Sequence, residues 1–274
     1  MNKKIGIIFA LVLVAFLVMG TASAGLFDFL GASPSSSGND NSTFIVGFDA
    51  EFPPYGYQDD NGSYTGFDLD LAKEVCERNN WTFKAQPIDW DAKDAELDSG
   101  SIDCIWNGFT IDGRENDYLW SNPYFDNKQI FVVKSDSGIK SIADLKGKTV
   151  ETQKDSSALA ALQGDNKTLA DTFAALTEVA DYNTAFMDLE SGACDAVAMD
   201  IGVAEYDIKN KNQSDAFSIL DKEITTEKYG VGFKKGNTDL KDKVQSTLDE
   251  MFKDGTVVKI AEKYGISQDA LIQK

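Results

Sequence analysis

Short apolar runs alternate with segments of helical periodicity from residue 43 onward. The first five such segments are residues 44–48, 67–79, 81–86, 92–97 and 102–106. The first, third and fifth have the length and alternation of strands, whereas the second and fourth have helical spacing. This order predicts a β-α-β-α-β unit with a parallel sheet and helices on both faces. Ligands bind such sheets at the carboxyl ends of the strands, so the residues that follow these strands are expected to line a cleft.

A second unit of the same kind occupies the rest of the chain. Its predicted strands and helices are, in order, a strand at 129–133, a strand near 149–152, a helix from Ser156, a helix over 182–190, a strand at 195–199 and a returning strand at 229–233. The closing segment, 239–264, has helical periodicity, and Gly255 divides it into two helices.

Two repeats with a returning strand predict an α/β fold of two doubly wound lobes. Two crossing segments, near residues 128–134 and 227–233, are expected to join the lobes, with the ligand cleft between them. We assign residues 43–129 and 231–274 to lobe 1 and residues 130–230 to lobe 2.

The first 24 residues have the pattern of a signal peptide. Two lysines precede an apolar stretch over 5–19, and an Ala-Ser-Ala sequence at 22–24 predicts cleavage before Gly25. The stretch is shorter than the ~20 residues of a spanning helix, which disfavours an uncleaved anchor. No cysteine follows it that would accept a bacterial lipid anchor. Residues 25–42 are rich in Gly, Ser, Pro and Asn and predict a flexible linker. The protein is therefore expected outside the cytoplasm, in the periplasm or at the cell surface.

The composition of the chain excludes several kinds of partner and active site. The chain has 274 residues, 42% of them hydrophobic, and a net charge of −19, which makes nucleic acid an unfavourable partner. It contains no histidine, which excludes serine or cysteine nucleophiles activated by imidazole and zinc sites built on histidine. The three cysteines, Cys76, Cys104 and Cys194, form no C-x-x-C pair, and their patterns favour small buried side chains over one disulfide. Neither a metal nor a cofactor is expected.

The segment whose residue types most strongly indicate ligand binding is 106–114, directly after a predicted buried strand. Gly108 permits a close backbone approach to a ligand, and Thr110 offers a hydroxyl group. Arg114 carries a guanidinium that matches a carboxylate bidentately. From residue type alone, a surface arginine at the start of a helix is the favoured interpretation.

Eight motifs in order carry a resemblance to a known family. They are 49–55 (DAEFPPY), 66–71 (GFDLDL), 99–103 (SGSID), 107–114 (NGFTIDGR), 120–124 (WSNPY), 142–148 (IADLKGK), 153–157 (QKDSS) and 195–200 (DAVAMD). Together they resemble the polar amino-acid-binding proteins of ABC importers, which are family 3 extracellular solute-binding proteins with the type II periplasmic-binding-protein fold. The resemblance runs from about residue 44 to 264.

The resemblance implies roles for residues at the two charged ends of an amino acid. Arg114 would clamp the α-carboxylate, assisted by the Thr110 hydroxyl and by the hydroxyl and backbone N–H of Ser157 at a helix start. Asp200 would accept the α-ammonium, assisted by the Gly108 carbonyl.

The resemblance also implies residues around the ligand side chain. Phe52 and Trp90 match two aromatic positions that sandwich it, and Asp49 matches an acidic position at its far end. Asn107 and Gln153 fall at positions that vary with the ligand, so each is a candidate specificity residue, with a structural role equally open.

Two further positions in the motifs lie outside these roles. Asp155 stands where family members often have glycine, and it adds negative charge near the carboxylate subsite. Asp68 also belongs to a motif, but its simpler role is to cap the helix that follows it.

The implied function is that of a monomeric receptor that closes around a free polar L-amino acid and presents it to a membrane ABC permease. Glutamine, arginine, lysine and cystine remain open as ligands. One alternative is a dehydratase-type enzyme on the same fold, for which Glu51 is the glutamate placed nearest the site. A second alternative, the ligand-binding domain of a sensor, is disfavoured because no spanning helix follows Gly265.

Overall fold

A computed structural model describes residues 42–210 and 215–272, so the predicted signal peptide and nearly all of the predicted linker lie outside the described residues. In the described part, strands β1 to β14 are Thr43–Phe48, Glu51–Phe52, Gly56–Gln58, Tyr64–Thr65, Thr82–Pro87, Cys104–Ile105, Leu119–Trp120, Phe125–Lys134, Thr149–Gln153, Ala175–Val179, Ala196–Asp200, Phe217–Ile219, Thr225–Tyr229 and Gly232–Phe233. Helices α1 to α8 are Phe67–Asn79, Lys93–Ser99, Ser157–Gln163, Lys167–Ala170, Tyr182–Ser191, Ile201–Asn210, Thr238–Lys253 and Thr256–Lys263.

The first sheet has the strand order β5-β1-β6-β14-β7. Strand β1 pairs in parallel with β5 and β6, which confirms the predicted β-α-β-α-β unit, and β14 closes the sheet by pairing antiparallel with β6 and β7. Helix α1 buries Leu71 and Val75 in the core on one face. Helix α2 buries Leu97 against Ile102 and Ile105 on the other face.

The second sheet has the order β10-β9-β11-β8-β12, with β13 also paired to β8. Strand β9 pairs in parallel with β10 and β11, whereas β8 is antiparallel to β11, β12 and β13. Helix α3 packs on one face through Ala158 and Leu162, and helices α5 and α6 pack on the other through Leu189 and Val203. The predicted class, two doubly wound α/β lobes, is confirmed.

The chain crosses between the two sheets twice. It leaves the first sheet after β7 and enters the second at β8, across residues 121–124, and it returns between β13 and β14, across residues 230–231. The expected first crossing near 128–134 is wrong, because those residues form part of β8 in the second sheet, whereas the second crossing falls within the expected 227–233. The prediction of one strand over 229–233 is therefore wrong, because the chain changes sheets within it. Gly230 is suited to this passage, since a Cβ there would lie 2.7 Å from the Ile111 side chain. The lobe boundaries at 129/130 and 230/231 stay a prediction.

Hydrophobic periodicity located the long elements and missed the short ones. Helix α1 has the predicted bounds, and α7 and α8 are separated at Gly255, which has φ +80°. The small sheet of β2, β3 and β4, together with β10, β12 and α6, was not predicted. Helix α6 begins directly after β11 with no intervening loop, so no turn signal marks its start.

The three cysteines are buried free thiols, as the sequence pattern favoured. Burial raises the pKa of the Cys76 and Cys194 thiols to about 12, so both stay protonated at neutral pH. Among the described residues, no group of acidic or cysteine side chains is arranged to hold a metal ion. Within that same part of the chain, no helix combines the length and the apolar character needed to cross a membrane.

Candidate ligand-binding site

A small cavity lies where loops from the two sheets meet, and we call it the inner cavity. It leaves about 20 Å³ of free space, room for about one water molecule, so a ligand can occupy it only if the two lobes move apart. Its lining residues are Phe52, Trp90, Asn107, Gly108, Thr110, Arg114, Gln153, Ser156, Ser157 and Asp200. Nine of the ten site residues predicted from the sequence are thus brought together, and Asp49 lines an adjoining groove.

The loop after β6 is fixed by a buried carboxyl group. Gly108 adopts a left-handed conformation, with φ +56°, and its N–H donates to Asp68 Oδ2 at 2.5 Å. The Tyr124 hydroxyl donates to the other Asp68 oxygen at 2.8 Å. The prediction that Asp68 caps the following helix is wrong, because α1 begins after Gly66 without a side-chain cap. Asp68 instead holds Gly108 in place, so that the Gly108 carbonyl can contribute to the site.

Arg114 ends this loop with most of its donors available. Its guanidinium donates to the Asp155 carbonyl at 3.0 Å and to the Thr110 carbonyl at 3.4 Å, and it lies 5.3 Å from the centre of the Phe109 ring. No carboxylate of the described residues pairs with it. Since a guanidinium carries five N–H donors, several remain for an anion in the cavity.

The start of α3 contributes the two serines. Ser156 caps the helix, with its hydroxyl oxygen accepting from the Leu159 N–H at 3.1 Å. Ser157 is the first helical residue, and its hydroxyl oxygen accepts from Gln129 Nε2 at 2.8 Å. Free N–H groups at the start of a helix favour a negatively charged neighbour, which suits this end of the cavity to a carboxylate.

Asp200 ends β11 as a buried carboxyl group with three neutral donors. Its Oδ1 accepts from Asn127 Nδ2 at 2.7 Å, from Gln129 Nε2 at 2.8 Å and from the Tyr229 hydroxyl at 2.5 Å. Burial, with repulsion from Glu227, raises the pKa of Asp200 to about 8. No lysine or arginine of the described residues forms an ion pair with it, so a cation in the cavity would be strongly favoured.

Two aromatic rings form apolar walls of the cavity. Phe52 packs against Tyr55 and Tyr182, with ring centres 5.6 and 6.0 Å apart. Trp90 stands edge-on to Phe109 at 5.4 Å. These contacts fix both rings, so the cavity presents preformed apolar surfaces to the stem of a ligand side chain.

Of the remaining predicted residues, Gln153 and Asn107 line the inner cavity, and Asp49 lies beside Gln153 in the adjoining groove. Gln153 donates to Asp49 Oδ2 at 2.6 Å, and Asp49 Oδ1 accepts from the Glu51 N–H at 2.8 Å. Burial raises the pKa of Asp49 to about 6. Asn107 is buried, and its Oδ1 has no hydrogen-bond partner where it lies against Gly56.

An outer groove adjoins the inner cavity at Trp90, which lines both. Its acidic lining residues are Asp49, Glu51, Asp89, Asp91, Glu96, Glu178 and Asp181, and Lys154 is its one lining base. This excess of carboxylates gives the groove a negative potential that favours a cationic group.

Polar contacts between the two lobes surround the cavity. Lys93 pairs with Asp155, Lys154 pairs with Asp91, and Asn183 donates to Glu51. Asp155 has φ +56°, a conformation in which glycine is favoured and aspartate is tolerated. The charge that Asp155 was expected to add is therefore paired with Lys93, a lysine only 1% exposed.

Asn127, Gln129 and Glu227, which lie behind Asp200, were not predicted from the sequence. Asn127 and Gln129 alternate on β8, opposite Glu227 of β13 and Asp200 of β11, respectively. Their signal was two uncharged polar residues at the same alternate positions of β8 as the apolar Phe125 and Phe131, whereas the charged Asp126 and Lys128 between them are exposed. Tyr229, two residues after Glu227, completes this layer.

We expect the ligand-free protein to be more stable at mildly acidic than at mildly alkaline pH. Burial raises the pKa of Asp49, Asp68 and Asp200 to about 6, 7 and 8, from 3.8. The folded state therefore binds protons more tightly than the unfolded state, and its stability falls as the pH rises from about 5 to 8. Differential scanning calorimetry should show a decreasing Tm over this range, less steep in Asp68→Asn. A Tm that rises from pH 5 to 8 contradicts this account.

Comparison with known proteins places this site in context. The family model "Bacterial extracellular solute-binding proteins, family 3" matches residues 44–267. The L-cystine-binding protein TcyJ of Escherichia coli (strain K12) is 32% identical over 229 residues, which are 81% of this chain and 82% of TcyJ.

Solved structures have the same fold. An ABC uptake transporter substrate binding protein from Streptococcus pneumoniae, with bound histidine, superposes with a TM-score of 0.80 at 34% identity, covering 82% of this chain and 93% of its own. The ancestral amino acid-binding protein AncCDT-1, a precursor of cyclohexadienyl dehydratase, has a TM-score of 0.73 at 31% identity, covering 81% and 95%.

Proposed function

This chain belongs to the family 3 bacterial extracellular solute-binding proteins, and from that premise we propose that it binds one free polar L-amino acid in the inner cavity. The observation that carries the proposal is a pair of complementary groups lining one small cavity. Arg114 has no carboxylate partner among the described residues, and Asp200 has no cationic partner there. An amino-acid zwitterion supplies both missing charges in one molecule.

In the proposed complex, each charged end of the ligand has its own set of partners. The α-carboxylate lies against the Arg114 guanidinium, with the Thr110 hydroxyl and the Ser157 N–H as further donors. The α-ammonium donates to Asp200 and to the Gly108 carbonyl. Every charged group of the ligand is then paired inside the cavity, which removal from water requires.

Binding is proposed to favour closure of the two lobes. Arg114 follows a strand of the first sheet, whereas Ser157 and Asp200 belong to elements of the second. Only an arrangement that brings both sheets together lets one small ligand contact all three residues. The ligand thus binds the closed state more tightly than the open state, which shifts the population toward closure. A membrane ABC permease is the proposed recipient of the closed form.

The walls of the site favour a side chain with a cationic tip. Phe52 and Trp90 accept an apolar stem, and the acidic outer groove adjoins the cavity at Trp90, which lines both. Among glutamine, arginine, lysine and cystine, we therefore expect arginine and lysine to bind most tightly.

A binding function is favoured over a dehydratase-type reaction. Glu51, the glutamate that an enzyme on this fold was expected to use, lines the outer groove and accepts a hydrogen bond from Asn183. It does not line the inner cavity, where a general acid would have to reach its substrate.

The protein is further proposed to act outside the cytoplasm as a monomer, without metal, cofactor or nucleic acid. The proposal rests on the apolar stretch over 5–19 and the Ala-Ser-Ala sequence before Gly25, together with the net charge of −19. Cleavage before Gly25 is part of this proposal.

A thermal-shift screen of the purified protein against the twenty amino acids, cystine and ornithine tests the binding function. A ligand at about 100 times its Kd should stabilise the fold by about 2.7 kcal/mol. We expect the largest shift from arginine or lysine. The matched controls are the N-acetyl and carboxamide derivatives of the best ligand, each of which lacks one charged end. No shift from any amino acid, or an undiminished shift from either derivative, would contradict the proposed function.

A further inference from the structure

Glu227 is a second buried carboxyl group directly behind the site, and the proposed binding mode does not use it. It lies on β13 and is 4% exposed. Its Oε1 accepts from Asn127 Nδ2 and from Gln129 Nε2, both at 2.8 Å. The same two nitrogen atoms donate to Asp200 Oδ1. Asn127 and Gln129 of β8 thus donate to both carboxyl groups, that of Asp200 on β11 and that of Glu227 on β13.

Two adjacent buried carboxyl groups cannot both ionise without a neutralising partner. No lysine or arginine of the described residues forms an ion pair with either member. The titratable side chains other than Glu227 that interact with Asp200 are three phenols: Tyr229 donates a hydrogen bond to it, and Tyr55 and Tyr182 interact with it electrostatically. Burial raises the pKa of these three phenols well above their ordinary value, so they supply no charge at neutral pH.

We propose that Asp200 and Glu227 form a proton-exchanging ammonium subsite, in which the empty cavity holds one proton on the pair and the ligand ammonium replaces it. This inference rests on the proposed function. Before binding, one carboxyl group is protonated and the other is ionised. After binding, both are ionised beside the ammonium, and the proton leaves to the buffer. The net charge of the buried layer is therefore the same with and without ligand.

The exchange makes ligand affinity depend on pH. As long as the ligand-free pair carries a proton, binding releases it. The affinity for the ligand therefore increases about tenfold for each unit by which the pH rises. The raised pKa of Asp200, about 8, places this dependence around neutrality. Asp49 and Arg114 are the other ionisable groups at the site. Asp49, with a pKa of about 6, is mostly ionised at pH 7.

Isothermal titration calorimetry at pH 7 in phosphate and in Tris counts the protons released, because the two buffers differ in ionisation enthalpy. The titrant is the best amino acid from the screen. The wild-type protein should release close to one proton. Glu227→Gln keeps the shape and the acceptor oxygen but removes the repulsion, and should release less than half as many. Its affinity should also change less between pH 6.5 and 7.5.

The matched control is Glu151→Gln, which alters a buried glutamate of β9 that does not line the inner cavity. It should release as many protons as the wild type. A structural role for Glu227 would lower affinity without changing the proton count. Tight binding by the wild type with no proton release overturns the subsite and leaves amino-acid binding intact, as does equal release by Glu227→Gln. Failure of the wild type to bind any amino acid overturns the proposed function and this inference with it.

Discussion

Arg114→Ala is expected to weaken binding of the best amino acid by roughly 30- to 5,000-fold. The substitution leaves the ligand carboxylate enclosed with only neutral donors from Thr110 and Ser157. Removing one member of a buried charge pair costs about 2–5 kcal/mol, which corresponds to that loss of affinity. Arg114 lies in a loop and is only partly buried, so the fold should be retained.

Arg114→Lys should restore only part of the lost affinity. A lysine ammonium is a point charge, and it cannot donate two parallel hydrogen bonds to a carboxylate. The hydrogen bond that the guanidinium donates to the Asp155 carbonyl of the other lobe would also change.

Calorimetric titration, with circular dichroism to verify folding, measures both variants. The chain offers a matched control in its one other arginine, Arg78, which pairs with Glu74 and Asp254 and does not line the cavity. Arg78→Ala should bind like the wild type. A folded Arg114→Ala protein that binds within tenfold of the wild type would remove Arg114 from the carboxylate subsite.

Asp200→Asn is expected to weaken binding by about 2–3 kcal/mol, or roughly 30- to 150-fold. Asparagine keeps the shape of the side chain, but it cannot supply the negative charge that the ligand ammonium requires. Tyr229, Asn127 and Gln129 would still have an acceptor oxygen at this position, so the strand layer should stay intact.

The same titration measures this variant, and Asp171→Asn is its control. Asp171 is an exposed aspartate paired with Lys167 and lies outside the cavity lining. Affinity of Asp200→Asn within threefold of the wild type would place the ammonium elsewhere.

The sequence predicted the long helices and strands well, because buried elements repeat their apolar residues at a regular spacing. Helix α1 repeats its apolar residues at helical spacing over its whole length, and β1 is a compact apolar run. Each lies on a sheet whose position follows from the order of the elements. Where the chain changes sheets, at residues 230–231, hydrophobicity does not change, so periodicity alone joined two strands into one.

The sequence predicted most of the residues that line the inner cavity, but not the residues that lie behind Asp200. Arg114, Ser157 and Asp200 stand in motifs, whereas Asn127 and Glu227 stand in strands and act through Asp200. Asp68 illustrates the limit of local reasoning. An acidic residue near a helix start commonly caps it, but here the carboxyl group accepts from Gly108, forty residues away in sequence. Partners this distant are set by the fold and leave no local pattern.

A crystal structure of the protein with the best amino acid from the screen tests the central claim most directly. The account predicts one ligand in the inner cavity, with its carboxylate within hydrogen-bond distance of the Arg114 guanidinium and the Ser157 N–H, and its ammonium on Asp200. A ligand bound outside the inner cavity, or bound there with its ammonium toward Arg114, would contradict the account.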